Sequence, residues 1–247
     1  MPPSTADLDP ETPAVQDILG GTCPLAPMQI CLLWVARQEK IISPLAFNVY
    51  VAAHEVKYWR SKTEPGETYR YTPYGFQRAD VNRLLPDVPE AKIAKAFDEL
   101  DAIHLLTISE SGIWFAETLN EVTVHERVKQ RALTMFNQLH PDTRDKRIKI
   151  PRRLLKLIIQ CGRRIVRTAT LFGLLLTTML TKRTTRYEGY KGCCKAEWIG
   201  KLFGVNAKRV NLERARLINE GWFTREPTTP RVRKKFGQWV RLTLTPS

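Results

Sequence analysis

KAEWIGKLFGVNAKRVNLERARLINEGWF, residues 195–223, is the stretch that decides how this chain is read. Ala196, Ile199 and Leu202 recur at helical spacing until Gly204 interrupts them. Glycine accepts the backbone of a sharp turn, so the pattern predicts a helix over 195–203 and a tight turn at Gly204-Val205-Asn206. A second helix over 207–220 follows, stopped by Gly221 just past its end. Val205 anchors the turn, and Val210 and Leu217 hold the second helix to a core. With residues about 100° apart around the helix, Lys208, Arg209, Leu212, Glu213, Arg216 and Asn219 point away from that core. Asn206 and Asn211 lie at the N-terminal edge of the same face. Arg214, one turn after Val210, breaks the apolar pattern; either its stem snorkels or the helical phase is shifted.

Working outward, residues 165–181 read as a long apolar helix. Residues 182–194, with Gly189 and Gly192, form a connection with room for a short strand. Downstream, WFTRE and GQWVRLTL make two strands around the loop PTTPRVRKKF, which carries Arg231, Arg233, Lys234 and Lys235.

The first half repeats this skeleton. Val81 and Leu85 match Trp198 and Leu202, while Val88, Ile93, Phe97 and Leu100 match Val205, Val210, Arg214 and Leu217. Ser43-Pro44 starts a helix to about Trp59, with Ser as cap and Pro in the first turn. Shorter helices are expected at 28–40, 78–85 and 89–102, a short strand at 69–72, and a hairpin from LLTIS and IWFAE. The exposed face of the helix after Pro89 carries Glu90, Lys92, Lys95 and Glu99, whose charges cancel. Residues 121–139 read as a connecting helix, followed by a polar linker. The expected divisions are a flexible tail over 1–22, a first domain over 23–120, a connection over 121–144 and a second domain over 145–247.

Charge separates the halves. The whole chain has 39 Lys+Arg against 25 Asp+Glu, a net of +14. Residues 145–247 hold 25 of the basic and 6 of the acidic residues, a net of +19, leaving −5 for residues 1–144. Such a basic half points to a polyanion, with Arg152, Arg153 and Lys156 at its start.

Other classes find little support. Cys23, Cys31, Cys161, Cys193 and Cys194 form no CxxC pair and no even framework, so neither structural zinc nor a disulfide scaffold is expected. His54, His104, His125 and His140 show no metal spacing. There is no phosphate-binding glycine motif and no nucleophile elbow, so no enzyme activity, catalytic residue or cofactor is expected. The apolar run 165–180 is short for a membrane span and contains Arg167. The polar, acidic start MPPSTADLDPETP has no secretory h-region, so a reducing, cytoplasmic and nucleoid-associated location is expected.

Carried by Ala196, Ile199, Gly204, Val205, Val210, Leu217 and Gly221, residues 195–223 resemble a helix-turn-helix of the winged-helix superfamily. The resemblance implies a mainly α fold with small β-hairpin wings (α+β) in two tandem winged-helix domains. It implies that Asn206, Lys208, Arg209, Asn211 and Arg216 face the major groove of double-stranded DNA. Arg231, Arg233, Lys234 and Lys235 of the wing, with Arg152 and Arg153, would lie on the backbone. Two such domains on one chain are similar in plan to initiators of plasmid and phage replication. The resulting expectation is a sequence-specific DNA-binding protein, a replication initiator or transcriptional regulator of a mobile element. Residues 43–116 would then serve a homodimer or a protein partner, or the first domain would make weak DNA contact of its own. The alternative is a protein-binding adaptor with only nonspecific nucleic-acid affinity.

Overall fold

A computed structural model describes residues 22–63, 76–110, 112–116, 118–139, 148–161, 164–178 and 191–243. The expected tail up to residue 21, the strand at 69–72, the polar linker at 140–147 and residues 182–190 of the expected connection lie outside the described residues. The chain is mainly helical with small antiparallel sheets, an α+β architecture. It divides into two compact units: Cys23–Asn137 with Leu154–Arg163, and Gln138–Arg153 with Arg164–Ser247.

In chain order come strand β1 (Thr22–Leu25), of which Cys23 onward belongs to the N-terminal unit, and helices α1 (Pro27–Gln38) and α2 (Pro44–Thr63). Helices α3 (Arg78–Asn82) and α4 (Glu90–Asp101), strands β2 (Leu106–Ser109) and β3 (Gly112–Phe115), and helix α5 (Glu126–Asn137) follow. The predicted start of α2 is observed, with Ser43 Oγ accepting the Ala46 N–H at 3.1 Å. Glu99 on α4 in turn accepts the Ser43 N–H at 2.7 Å, which ties α4 to the head of α2. Strands β2 and β3 pair antiparallel, Leu106 opposite Phe115, and Phe76 bridges to Ile113. Phe115 gathers the rings of Tyr50, His54 and Phe76 at 5.3, 4.0 and 5.6 Å between centroids.

Helix α5 was expected to connect two domains over 121–139. It starts instead at Glu126 and packs on α1 as part of the N-terminal unit. Glu121 is drawn back to Thr118, and the His125 ring accepts the Arg127 N–H at 3.1 Å, capping the helix there. Its buried side chains Val128, Ala132 and Met135 explain the docking. Among the described cysteines, Cys31, Cys161, Cys193 and Cys194 form no disulfide. Burial pushes the Cys31 thiol up to about 12.

Strand β4 (Ile148–Pro151) and helix α6 (Arg152–Gln160) come next. The expected boundary near residue 145 is thereby modified: α6 passes from one unit to the other, and Leu154 onward clusters with the N-terminal unit. Leu154, Leu155, Ile158 and Ile159 form the apolar face that requires a partner surface.

The C-terminal unit continues with α7 (Ile165–Thr178), β5 (Lys191–Cys193), α8 (Ala196–Phe203) and α9 (Ala207–Asn219). It ends with β6 (Phe223–Arg225), α10 (Pro230–Phe236) and β7 (Trp239–Leu242). The strands form one antiparallel sheet in the order β5-β7-β6, Gly192 opposite Val240 and Phe223 opposite Leu242. Ala169, Phe172, Ile199, Phe203, Val210, Leu217, Phe223 and Val240 make its core. No helix among the described residues is long and apolar enough to cross a membrane.

Both units therefore run through helix, strand or bridge, two helices and a hairpin. The predicted residue matches carry this likeness. Ile93, Phe97 and Leu100 are at most 1% exposed, and Val210 and Leu217 are fully buried. Trp198 is the exception: it is half-buried where Val81 is buried, and its neighbour Ile199 enters the core instead.

Candidate nucleic-acid interface

The geometry of α8 and α9 follows from the turn between them. Gly204 has φ +63°, and the Val205 N–H returns to the Gly200 carbonyl at 3.0 Å. A left-handed residue at this position ends α8 cleanly and redirects the chain into α9. Asn206 then caps α9, its side-chain oxygen accepting the Lys208 and Arg209 N–H groups at 3.0 and 3.2 Å. Its carbonyl oxygen is thus committed to the helix, while the side chain remains exposed and its amide NH2 group stays outside the cap.

Lys208, Arg209, Asn211, Leu212, Arg216 and Asn219 are exposed on α9. Glu213 is not, contrary to the helical-wheel expectation. It is turned toward Arg167 of α7, at 3.6 Å, and also binds Arg216 at 2.5 Å. Arg167, itself buried, makes a two-pronged pair with Glu220, one bond at 2.9 Å. That bond, ahead of the cost of burial, holds the Glu220 carboxyl below its ordinary range. Two carboxylates of α9 and its C-cap are in this way occupied by cations, and apart from Leu212 the helix presents mostly amides and cations outward.

Arg214 neither snorkels nor marks a phase error. It is 8% exposed, and its guanidinium donates to the carbonyls of Cys194 at 3.0 Å and Gln238 at 3.3 Å. These carbonyls lie at the end of β5 and the start of β7. A fork of donors fits two diverging backbone acceptors, as an apolar side chain does not. Arg214 therefore bolts α9 to the base of the hairpin.

The expected hairpin loop contains a helix. Thr229 caps α10, accepting the Val232 N–H at 3.4 Å, and Pro230 occupies its first turn. Gly237 ends it with φ +99°; a Cβ there would come within 2.5 Å of the Cys194 carbonyl oxygen, so this place in the chain demands glycine. Thr before Pro and Gly after Phe236 were the missed signals for this short helix. Below it the hairpin is pinned by the Glu226–Arg241 ion pair at 2.8 Å and by the Gln238 amide, which donates to Thr228 Oγ1 and the Glu226 carbonyl, both at 2.8 Å. Arg231, Arg233, Lys234 and Lys235 are all exposed on α10, with Phe236 49% exposed beside them.

Arg152 and Arg153 belong to the same unit and are half-buried. Arg153 donates to the Thr243 carbonyl and lies 5.4 Å from the Trp222 ring centroid. It is a packing residue of the sheet edge, and burial lowers its pKa from the usual guanidinium value. Lys156 is exposed but falls in the other unit. Lys195, Lys201 and Arg225 are exposed cations of the C-terminal unit that helix-face reasoning left out.

Among the described residues no group of three or more His, Cys, Asp or Glu side chains is placed to hold a metal ion. Comparison with known proteins finds no matching family model, no matching curated protein and no matching solved structure. What the chain's own geometry gives is an α+β protein whose C-terminal unit carries exposed cations on two helices.

Proposed function

We propose that the C-terminal unit is a winged-helix domain that binds double-stranded DNA by sequence, α9 being its recognition helix and α10 the tip of its wing. The carrying observation is the exposed face of α9, where Lys208, Arg209 and Asn211 stand near the capped N-terminus while Glu213 and Glu220 are engaged by Arg167. A major groove about 12 Å wide accepts a helix end, and Arg and Asn pair bidentately with guanine and adenine. The four cations of α10 supply sequence-independent phosphate contacts. With a second unit of the same plan on the chain, the supported role is a replication initiator or transcriptional regulator of a mobile element, acting at the nucleoid.

For the N-terminal unit a protein-contact role is favoured. The exposed residues of α4 mix signs, and Glu90 and Asp98 are bonded to Asn82 and Arg78 of the preceding helix. A homodimer or a protein partner through residues 43–116 suits this surface better than a polyanion.

Selection from random duplex DNA by the full chain at physiological salt tests the reading. The expected result is an enriched motif bound 10³-fold or more above random duplex. Retention without enrichment, lost uniformly with salt, would leave the adaptor reading in its place.

A further inference from the structure

Leu212 is 61% exposed, the most exposed of the large apolar side chains among the described residues. It stands almost diametrically opposite Val210 and Leu217 on α9, at the centre of the outward face. Lys208 and Arg216 lie one turn before and after it, and Arg209 and Asn211 flank it, all exposed. The corresponding position of α4, at the same spacing from the shared core residues, is Lys95. Solvent alone is satisfied by lysine there; an apolar branch in the middle of a polar, cationic face asks for an apolar target within an anionic surface. A protein hot spot would surround Leu212 with further apolar or aromatic side chains, and this face supplies cations and an amide.

The major groove offers one target of that chemistry, the 5-methyl group of thymine. We propose that Leu212 is a specificity-determining residue that packs on a thymine methyl, between the polar contacts made by Lys208, Arg209 and Asn211. The proposal rests on the DNA-reading role of α9. Uracil lacks only that methyl and keeps the pairing edge, so the contribution of the contact is separable from every hydrogen bond. Removing one methyl from a buried contact corresponds to roughly a fourfold change in Kd.

The test substitutes deoxyuridine for each thymine of the selected duplex in turn and measures Kd for the full chain and for Leu212→Ala. The wild type should weaken roughly fourfold at one thymine. Leu212→Ala should bind the all-thymine duplex about as weakly and be indifferent to uracil at that position, with its other base preferences intact. Leu212→Met, which keeps an apolar side chain, should retain part of the methyl discrimination. The proposal is overturned by full uracil sensitivity in Leu212→Ala, by no uracil effect in the wild type, or by a selected motif without thymine. Loss of self-association in Leu212→Ala with base preferences unchanged would assign the side chain to a second copy and also overturn it. Failure of the wild type to enrich any motif would be different in kind: it would remove the DNA reading beneath the proposal.

Discussion

Helices α4 and α9 share a core pattern at a constant offset of 117 residues, from Val88 to Val205 and from Leu100 to Leu217, yet face outward with different chemistry. Where α9 shows Lys208, Arg209, Asn211, Leu212 and Arg216, α4 has Ala91, Lys92, Ala94, Lys95 and Glu99. Glu99 is spent on the Ser43 N–H, and the cap position holds Pro89 instead of Asn206. Among the buried positions the two helices share, one changes from apolar to charged. Phe97 fills its place with an aromatic ring, whereas Arg214 reaches two carbonyls at the base of a longer hairpin. Two units with the same order of elements thus carry different solutions in their cores, and their outward faces differ more.

The comparison is most strongly broken at Phe97. Phe97→Ala should destabilise the N-terminal unit by about 3–5 kcal/mol, because a fully buried ring leaves a cavity. Denaturant unfolding followed by hydrogen exchange in α4 reads the loss unit by unit. Arg214→Ala should cost the C-terminal unit about 1–3 kcal/mol, the penalty of two deprived carbonyls. Exchange should rise at both α9 and β7; a rise confined to α9 would deny the bolt between them.

On the outward face, Arg209→Ala and Asn211→Ala should each weaken binding to the selected DNA by about 1–3 kcal/mol and relax its sequence preference. Lys92→Ala in α4 should leave affinity unchanged, as filter-binding or fluorescence titrations would show. Lys234→Ala combined with Lys235→Ala should weaken binding to all duplexes and flatten the logarithmic salt slope by about 0.9 per lost phosphate contact. An unaltered slope would remove α10 from the backbone.

The smallest effect is expected at Glu220. Its carboxyl is held below the ordinary value of 4.5 by Arg167, so its stabilisation is complete above that value and is lost as pH falls through the lowered native value. Being 43% exposed, it contributes less than about 1 kcal/mol after solvent screening. Urea midpoints of the wild type and Glu220→Gln should differ at neutral pH and converge in acid.

Much of this was legible in the sequence because the decisive signals are local. Ser43-Pro44, Gly204 and Gly221 each fix a helix boundary through the chemistry of a cap or turn, and the apolar periods of α4 and α9 need no distant partner to be read. The unread features depend on what lies across space. Arg214 looked like a fault in a period until the carbonyls of Cys194 and Gln238 met it. Glu213 sits on the outer side of a helical wheel but bends toward a buried cation on another helix. The docking of α5 on α1 joins residues about a hundred apart, beyond the reach of any sequence window. Helix α10 was different: its Thr-Pro start and Gly end were visible, and the surrounding hairpin pattern masked them.

Lysine acetylation footprinting of the full chain, with and without the selected duplex, tests the asymmetry of the two units most directly. Lys92 and Lys95 on α4, and Lys208, Lys234 and Lys235 on α9 and α10, are all exposed and so equally reportable. Duplex DNA should protect Lys208, Lys234 and Lys235 and leave Lys92 and Lys95 reactive. Protection of Lys92 and Lys95 with Lys208 still reactive would contradict the assignment of DNA reading to the C-terminal unit.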